Sequence, residues 1–257
     1  MKVRMKFSKT GSMKFVGHLD VMRYFQKAIR RAEIDIQYSQ GFNPHQLMSF
    51  ASPLGVGLTS DAEYVDLIIG ETESSKLSVD KLNETMVDGF KVLNYRQVTD
   101  ESKNAMSIVA AADYVISLRD GYSWNDKGLS FEDTFIAFYE EEEIHILKKS
   151  KKSEREVNIK PFIYCVTFED ERLRTSVVET FENGTKVVLK LSSGSVNNLK
   201  PELVMEAFCK FAEVEYNPYA WQIHRLEVYE NLAPVAEGET IDLTKLVPLD
   251  YETIDIA

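Results

Sequence analysis

The chain has 257 residues, 44% of them hydrophobic and 28% charged, and a net charge of −11. That is enough apolar material for one large or two moderate domains. No apolar run approaches the roughly 20 residues of a membrane span, and the start MKVRMKFSK lacks the apolar stretch of a secretory leader, so a globular cytoplasmic protein is expected.

Residues 2 to 7 alternate charged and apolar side chains, the period of a half-buried strand. A loop holding Gly11 and Gly17 leads to a helix expected from about 18 to 33. At about 100° per residue, Met22, Phe25, Ala28, Ile29 and Ala32 share one face, and Arg23, Lys27, Arg30 and Arg31 cluster opposite as a basic ridge with Asp20 at its start. The loop QGFNPHQ precedes two expected strands, LMSFASPLGVG and AEYVDLIIG, then a helix over about 77 to 88 and a strand KVLNYRQV. The resulting βαββαβ order predicts an α+β protein whose residues 1–100 form a ferredoxin-like domain.

After the polar linker TDESKNA, a second α+β domain is expected over 107–232, with a ferredoxin-like arrangement as one alternative. Its elements are a strand AADYVISL, a helix opening at Ser130 with Asp133 three residues on, and a strand EIHILKK. They continue with a hairpin RTSVVETFENGTKVVLKLSS turning at Asn183-Gly184, a helix PELVMEAFCKFA and a strand WQIHRLEVYENL. The acidic run Glu140 to Glu143 opposes the dipole at its helix end and calls for a basic neighbour, for which KKSKKSER is a candidate. Residues 233–257 carry six carboxylates, one lysine and two prolines, and are expected to form an extended tail anchored by Leu246 and Ile254.

Charge is segregated along this order. Residues 1 to 60 hold nine Lys or Arg against three Asp or Glu, a local +6 that leaves −17 for the rest. Segregation of this kind marks binding surfaces. His18 and Asp20 at a helix start and His45 in the GFNPH loop are acid/base candidates near neutral pH. His18 also falls with the apolar side of the wheel, where a structural role is the plain alternative. No HExxH or comparable spacing supports a metal site. The loop KTGSMKFVGH places Lys9 and Lys14 ahead of a helix N-terminus, a setting that favours anions, but it is not a Walker A sequence. Phe42, Phe50 and Tyr64 are aromatics near the ridge that are candidates to stack on bases. The lysines from Lys148 to Lys152, with Arg155 and Lys160, form a second basic stretch, while His145 and His224, embedded in strands, read as structural. Cys165 and Cys209 lie in apolar segments without a CxxC pair, so neither an iron–sulfur centre nor a structural zinc is expected from this chain alone.

The ordered residues FSKTG, HLD with Arg23, RRA, YSQGFNPH, SFASPLGVG and Glu63 with Asp66 resemble the radical-SAM-associated (radical SAM-linked) protein family. Its members occur free-standing or as the C-terminal part of B12-binding-type radical SAM proteins. The likeness is dense over about the first 70 residues and looser at EREVNIKPFI and from PELVMEAF to IHRLE; Gln46 departs from the family pattern. The resemblance implies an accessory or substrate-presenting protein working with a radical SAM enzyme. The leading expectation is therefore a protein without cofactor of its own that binds structured RNA in an RNA-modification system. Its substrate-binding residues would be Lys9, Lys14, Arg23, Lys27, Arg30, Arg31, Ser39, Phe42 and Glu63. An RNA- or nucleotide-acting enzyme using His18, Asp20 and His45, and a module that only docks the radical SAM partner, are the alternatives.

Overall fold

The structure, a computed structural model, describes residues 1–99, 102–125, 127–149, 154–194, 197–233 and 241–257. Lys151 and Lys152 of the second basic stretch, part of the expected linker (100–101) and the start of the expected tail (234–240) lie outside the described residues.

The class is α+β. In chain order the elements are β1 (Lys2–Lys9), α1 (His18–Arg31), β2 (Met48–Phe50), β3 (Thr59–Ile68), α2 (Ser75–Thr85), β4 (Phe90–Val98), α3 (Ala105–Ile108), β5 (Val109–Leu118), α4 (Phe131–Glu140), β6 (His145–Lys149), β7 (Glu154–Asn158), β8 (Ile163–Thr167), β9 (Lys186–Ser192), α5 (Pro201–Phe211), β10 (Trp221–Asn231) and β11 (Leu246–Pro248). Among the described residues nine strands form one sheet in the order β4-β1-β3-β10-β5-β9-β8, with β2 against β3 and β11 against β10, while β6 and β7 pair as a separate ribbon. The ten-residue β3 serves two partners on one edge: its far end pairs with β2 (Phe50↔Val65) and its near end takes β10 in parallel register (His224↔Thr59, Arg225↔Ser60). That short parallel contact joins the two halves of the chain into one sheet. The other strand pairs are antiparallel.

Period-2 alternation sorts the first strand into an apolar and a polar face, but the strand is not half-buried: Lys2, Arg4 and Ser8 on the polar face are buried too, Arg4 against Asp66. Val3, Met5 and Phe7 are buried beneath α1, whose Val21, Phe25, Ala28 and Ile29 pack down onto them. Phe7 and Phe25 sit 4.4 Å apart between ring centroids, with Phe50 and Phe90 edge-on around them. Each fully buried ring of this kind contributes roughly 1.5–3 kcal/mol. In the second half α4 turns Phe131, Phe135 and Phe138 inward against Phe208 of α5. Ser130 caps α4 by accepting from the Asp133 amide at 3.3 Å, and Pro201 opens α5, where a missing N–H costs nothing.

Three further expectations are corrected. The Asn183-Gly184 hairpin does not form: β9 already has β5 on one edge and β8 on the other, so no edge remains for RTSVVETF, which crosses the sheet face instead. The strand expected over 47–57 shrinks to three residues, because Ser52 to Leu58 loop out over the sheet. The tail is tied down more firmly than its composition suggests: Leu249 is fully buried, β11 pairs with β10, and Ile254 exchanges backbone bonds with Gln97. The basic neighbour at the end of α4 is Lys160, whose Nζ donates to the Tyr139 carbonyl.

Candidate functional site

The parallel β3–β10 contact creates a buried polar seam. Glu63 shares its face of β3 with Val65 and Leu67, and β10 brings Arg225 across from it. Arg225 is 2% exposed; its Nε donates to Glu63 Oε1 at 3.0 Å, a second nitrogen binds the same carboxylate, and it also donates to the Ser52 carbonyl at 2.7 Å. Lys9, also 2% exposed after the bulge that follows Phe7, donates to the Val16 carbonyl at 2.9 Å. Burial lowers the Lys9 pKa, Glu63 opposes that shift, and Arg225 reinforces it. Two cations thus depend on one carboxylate inside the protein, an arrangement that tolerates no missing partner.

His18, the first residue of α1, stands at the rim of this seam with its ring edge-on to Phe50 at 5.3 Å. With Lys9, Glu63, Pro53 and Leu54 it lines a cavity of about 10 Å³. That is room for about one water, so the seam can hold a solvent molecule or a small ion but not a nucleotide.

The ridge faces outward. Arg23, Lys27, Arg30 and Arg31 are exposed. Arg23 donates to Asp20 at 3.1 Å, both side chains being about two-thirds exposed, and Arg31 donates to the Thr85 carbonyl at 3.0 Å. Among the described residues Lys27 and Arg30 have no ion pair. Lys14 lies half-buried beside Phe15, 5.5 Å from the ring centroid. Along one flank of α1 runs the loop 38–46, pinned where Gln46 donates to the Gln26 carbonyl. In it His45 and Ser39 hydrogen-bond each other (Nδ1···Oγ 2.8 Å), and Phe42 is fully exposed.

Of the acid/base candidates, Asp20 is engaged by Arg23 and His45 by Ser39, and the Gln26 anchor of the His45 loop lies two turns, about 12 Å, along α1 from His18. Among the described residues the three make no hydrogen bond or ion pair with one another. What the fold gathers is Lys9, His18 and Glu63. Phe50 and Tyr64 are 9% and 2% exposed and unable to meet a base; Tyr64 instead donates to Glu227 at 2.7 Å. Phe42 is exposed, and so is Phe15, at 68%, in the turn just ahead of α1. Sequence reading passed over Phe15, although an aromatic in a polar, glycine-flanked turn carries the signal. Arg225 was also passed over, although a charged residue inside the apolar run WQIHRLEVY signals burial with a partner; its neighbour His224, read as structural, is buried.

His224 has no exposed surface. Its Nδ1 lies 2.8 Å from Thr59 Oγ1, and its Nε2 lies 3.2 Å from Asp61 and 3.3 Å from Ser176 Oγ. Burial pushes the Asp61 carboxyl up, but the bonds from His224, Ser176 and the Val177 amide outweigh it and hold the group below the usual carboxylate range. Among the described residues no group of three His, Cys, Asp or Glu could hold a metal, and no helix is long and apolar enough to cross a membrane.

Comparison with curated proteins finds no match. A family model does match, over residues 2–201, so it covers Lys9, His18, the ridge and Glu63 and stops before Arg225. The model is described as "Uncharacterized protein conserved in bacteria (DUF2344)", and because it spans most of the chain, the protein belongs to that family.

Proposed function

We propose that the protein is a non-catalytic accessory subunit that binds structured RNA through the outer face of α1 and presents it to a radical SAM enzyme. One observation carries the RNA part: Arg23, Lys27 and Arg30 stand exposed within about 60° of one another around the helix, and two aromatics, Phe15 ahead of α1 and Phe42 in the loop pinned to it at Gln26, are exposed as well. Cations of this kind neutralise phosphates, and exposed rings accept unpaired bases. The acidic remainder of the chain makes the ridge the locus where a polyanion can approach. The radical SAM part rests on the sequence resemblance and on the cysteine count: with two cysteines, the cluster that cleaves S-adenosylmethionine must be a partner's.

Fluorescence anisotropy with a labelled RNA stem–loop tests the reading. Three phosphate contacts predict a slope of log K against log salt of roughly −2 to −3. Reversing charge at Arg23, Lys27 and Arg30 together should abolish binding while leaving thermal unfolding unchanged. Absence of binding at low salt, or binding indifferent to the reversal, overturns it. Co-purification with a radical SAM enzyme that survives nuclease treatment but is lost in the same triple variant would assign the ridge to protein docking instead.

A further inference from the structure

The face of the second-half sheet turned away from α4 and α5 carries Val115, Val188 and Leu226, covered by residues 171–185 running across as a strap. The strap is pinned at three places. Arg172 donates to Asp113 at 2.7 Å; Ser176 and the Val177 amide meet His224 and Asp61; and the amides of Glu182 and Asn183 donate to Asp120 at 3.0 and 3.2 Å. Between the second and third pins Val178 packs against this face, and residues 178–181 line an open space beside it.

That space is a cleft of about 280 Å³, many times the volume of one water and close to the lower end of small-ligand pockets. Val115 and Ser117 of β5 form its floor, and Leu173, Val178 and Phe181 its apolar walls. Two cations, Arg174 and Lys186, also line it against a single carboxylate, Glu179, and neither cation has an ion pair among the described residues. In a chain of net charge −11, an apolar cleft with surplus unpaired positive charge selects by sign as well as by shape.

We propose that this cleft binds a small organic anion with an apolar body, the body lying against Val115, Leu173, Val178 and Phe181 and the anionic group against Arg174 and Lys186. The site is separate from the α1 ridge and does not depend on the RNA reading.

The full-length protein is titrated by fluorescence with 8-anilinonaphthalene-1-sulfonate and, in parallel, with its uncharged counterpart N-phenyl-1-naphthylamine. The anion should bind saturably at one site, about tenfold more tightly than the neutral probe, as one paired charge requires. Arg174→Glu with Lys186→Glu should erase that tenfold preference and leave the neutral probe unchanged. Val178→Trp, which fills the cleft, should abolish both, with near-UV circular dichroism confirming native packing in every variant. Equal affinity for the two probes, binding to several sites, or anion binding untouched by the charge reversal overturns the proposal. Should Val178→Trp fail to fold, the charge-reversal pair decides alone.

Discussion

Replacing Glu63 by alanine removes the carboxylate that faces two buried cations, Arg225 and Lys9. Arg225 would lose both of its bonds to Glu63 and keep those to Ser52, and Lys9 would lose the attraction of Glu63 and keep its bond to the Val16 carbonyl. Removing one partner of a buried pair costs about 3–5 kcal/mol because the remaining charge stays desolvated. For a chain of this size each kcal/mol shifts the melting temperature by about 2–4 °C, so Glu63→Ala should melt roughly 6–20 °C lower. Urea denaturation followed by circular dichroism measures the loss at constant m. The double variant Glu63→Ala with Arg225→Met should recover the part of the loss owed to Arg225, leaving Lys9 as the cation deprived of Glu63. A single-variant loss below about 1 kcal/mol, or a double variant worse than the single, would refute the claim that burial of unpaired charge dominates here.

Two further outcomes follow from particular residues. Gly89 has φ +93°, and a Cβ there would lie 2.7 Å from both the Thr10 carbonyl oxygen and Met13 Cγ. Gly89→Ala should therefore cost about 1–3 kcal/mol more than Gly184→Ala, where φ is +68° and the space is open; equal losses in urea melts would show that the close approach to Thr10 is unimportant. Asp61, held below the usual carboxylate range by its bonds, stabilises the fold above that range, and the contribution is lost as pH falls through its lowered value. Asp61→Asn should be less stable than the parent at neutral pH, with the gap closing below about pH 4; a gap that ignores pH would remove Asp61 as its cause.

Much of this protein is readable locally. The alternation of KVRMKF, the apolar stripe of α1, the Ser130 cap and Pro201 each act within a few residues, and the strands and helices they specify appear within a few residues of where they are expected. Asn183-Gly184 shows where local signals stop: the dipeptide suits a hairpin, but β8 and β5 occupy both edges of β9, and competition for edges is decided by the whole sheet. The ridge was legible because charge on a helix face follows from period alone. The seam was not, since Lys9, Glu63 and Arg225 lie up to 216 positions apart and nothing local says which of them pair until the sheet closes.

The amino-acid sequence by itself thus determined the element types, the α+β class and the cationic face of α1, because period and propensity are properties of short stretches. Only the tertiary structure decided that β10 docks on β3, that Lys9, His18 and Glu63 line one small cavity, and that the 171–185 strap crosses the sheet beside an apolar cleft. Those outcomes depend on long-range pairing, where a buried charge must find its partner and each stretch of strand edge can be used once.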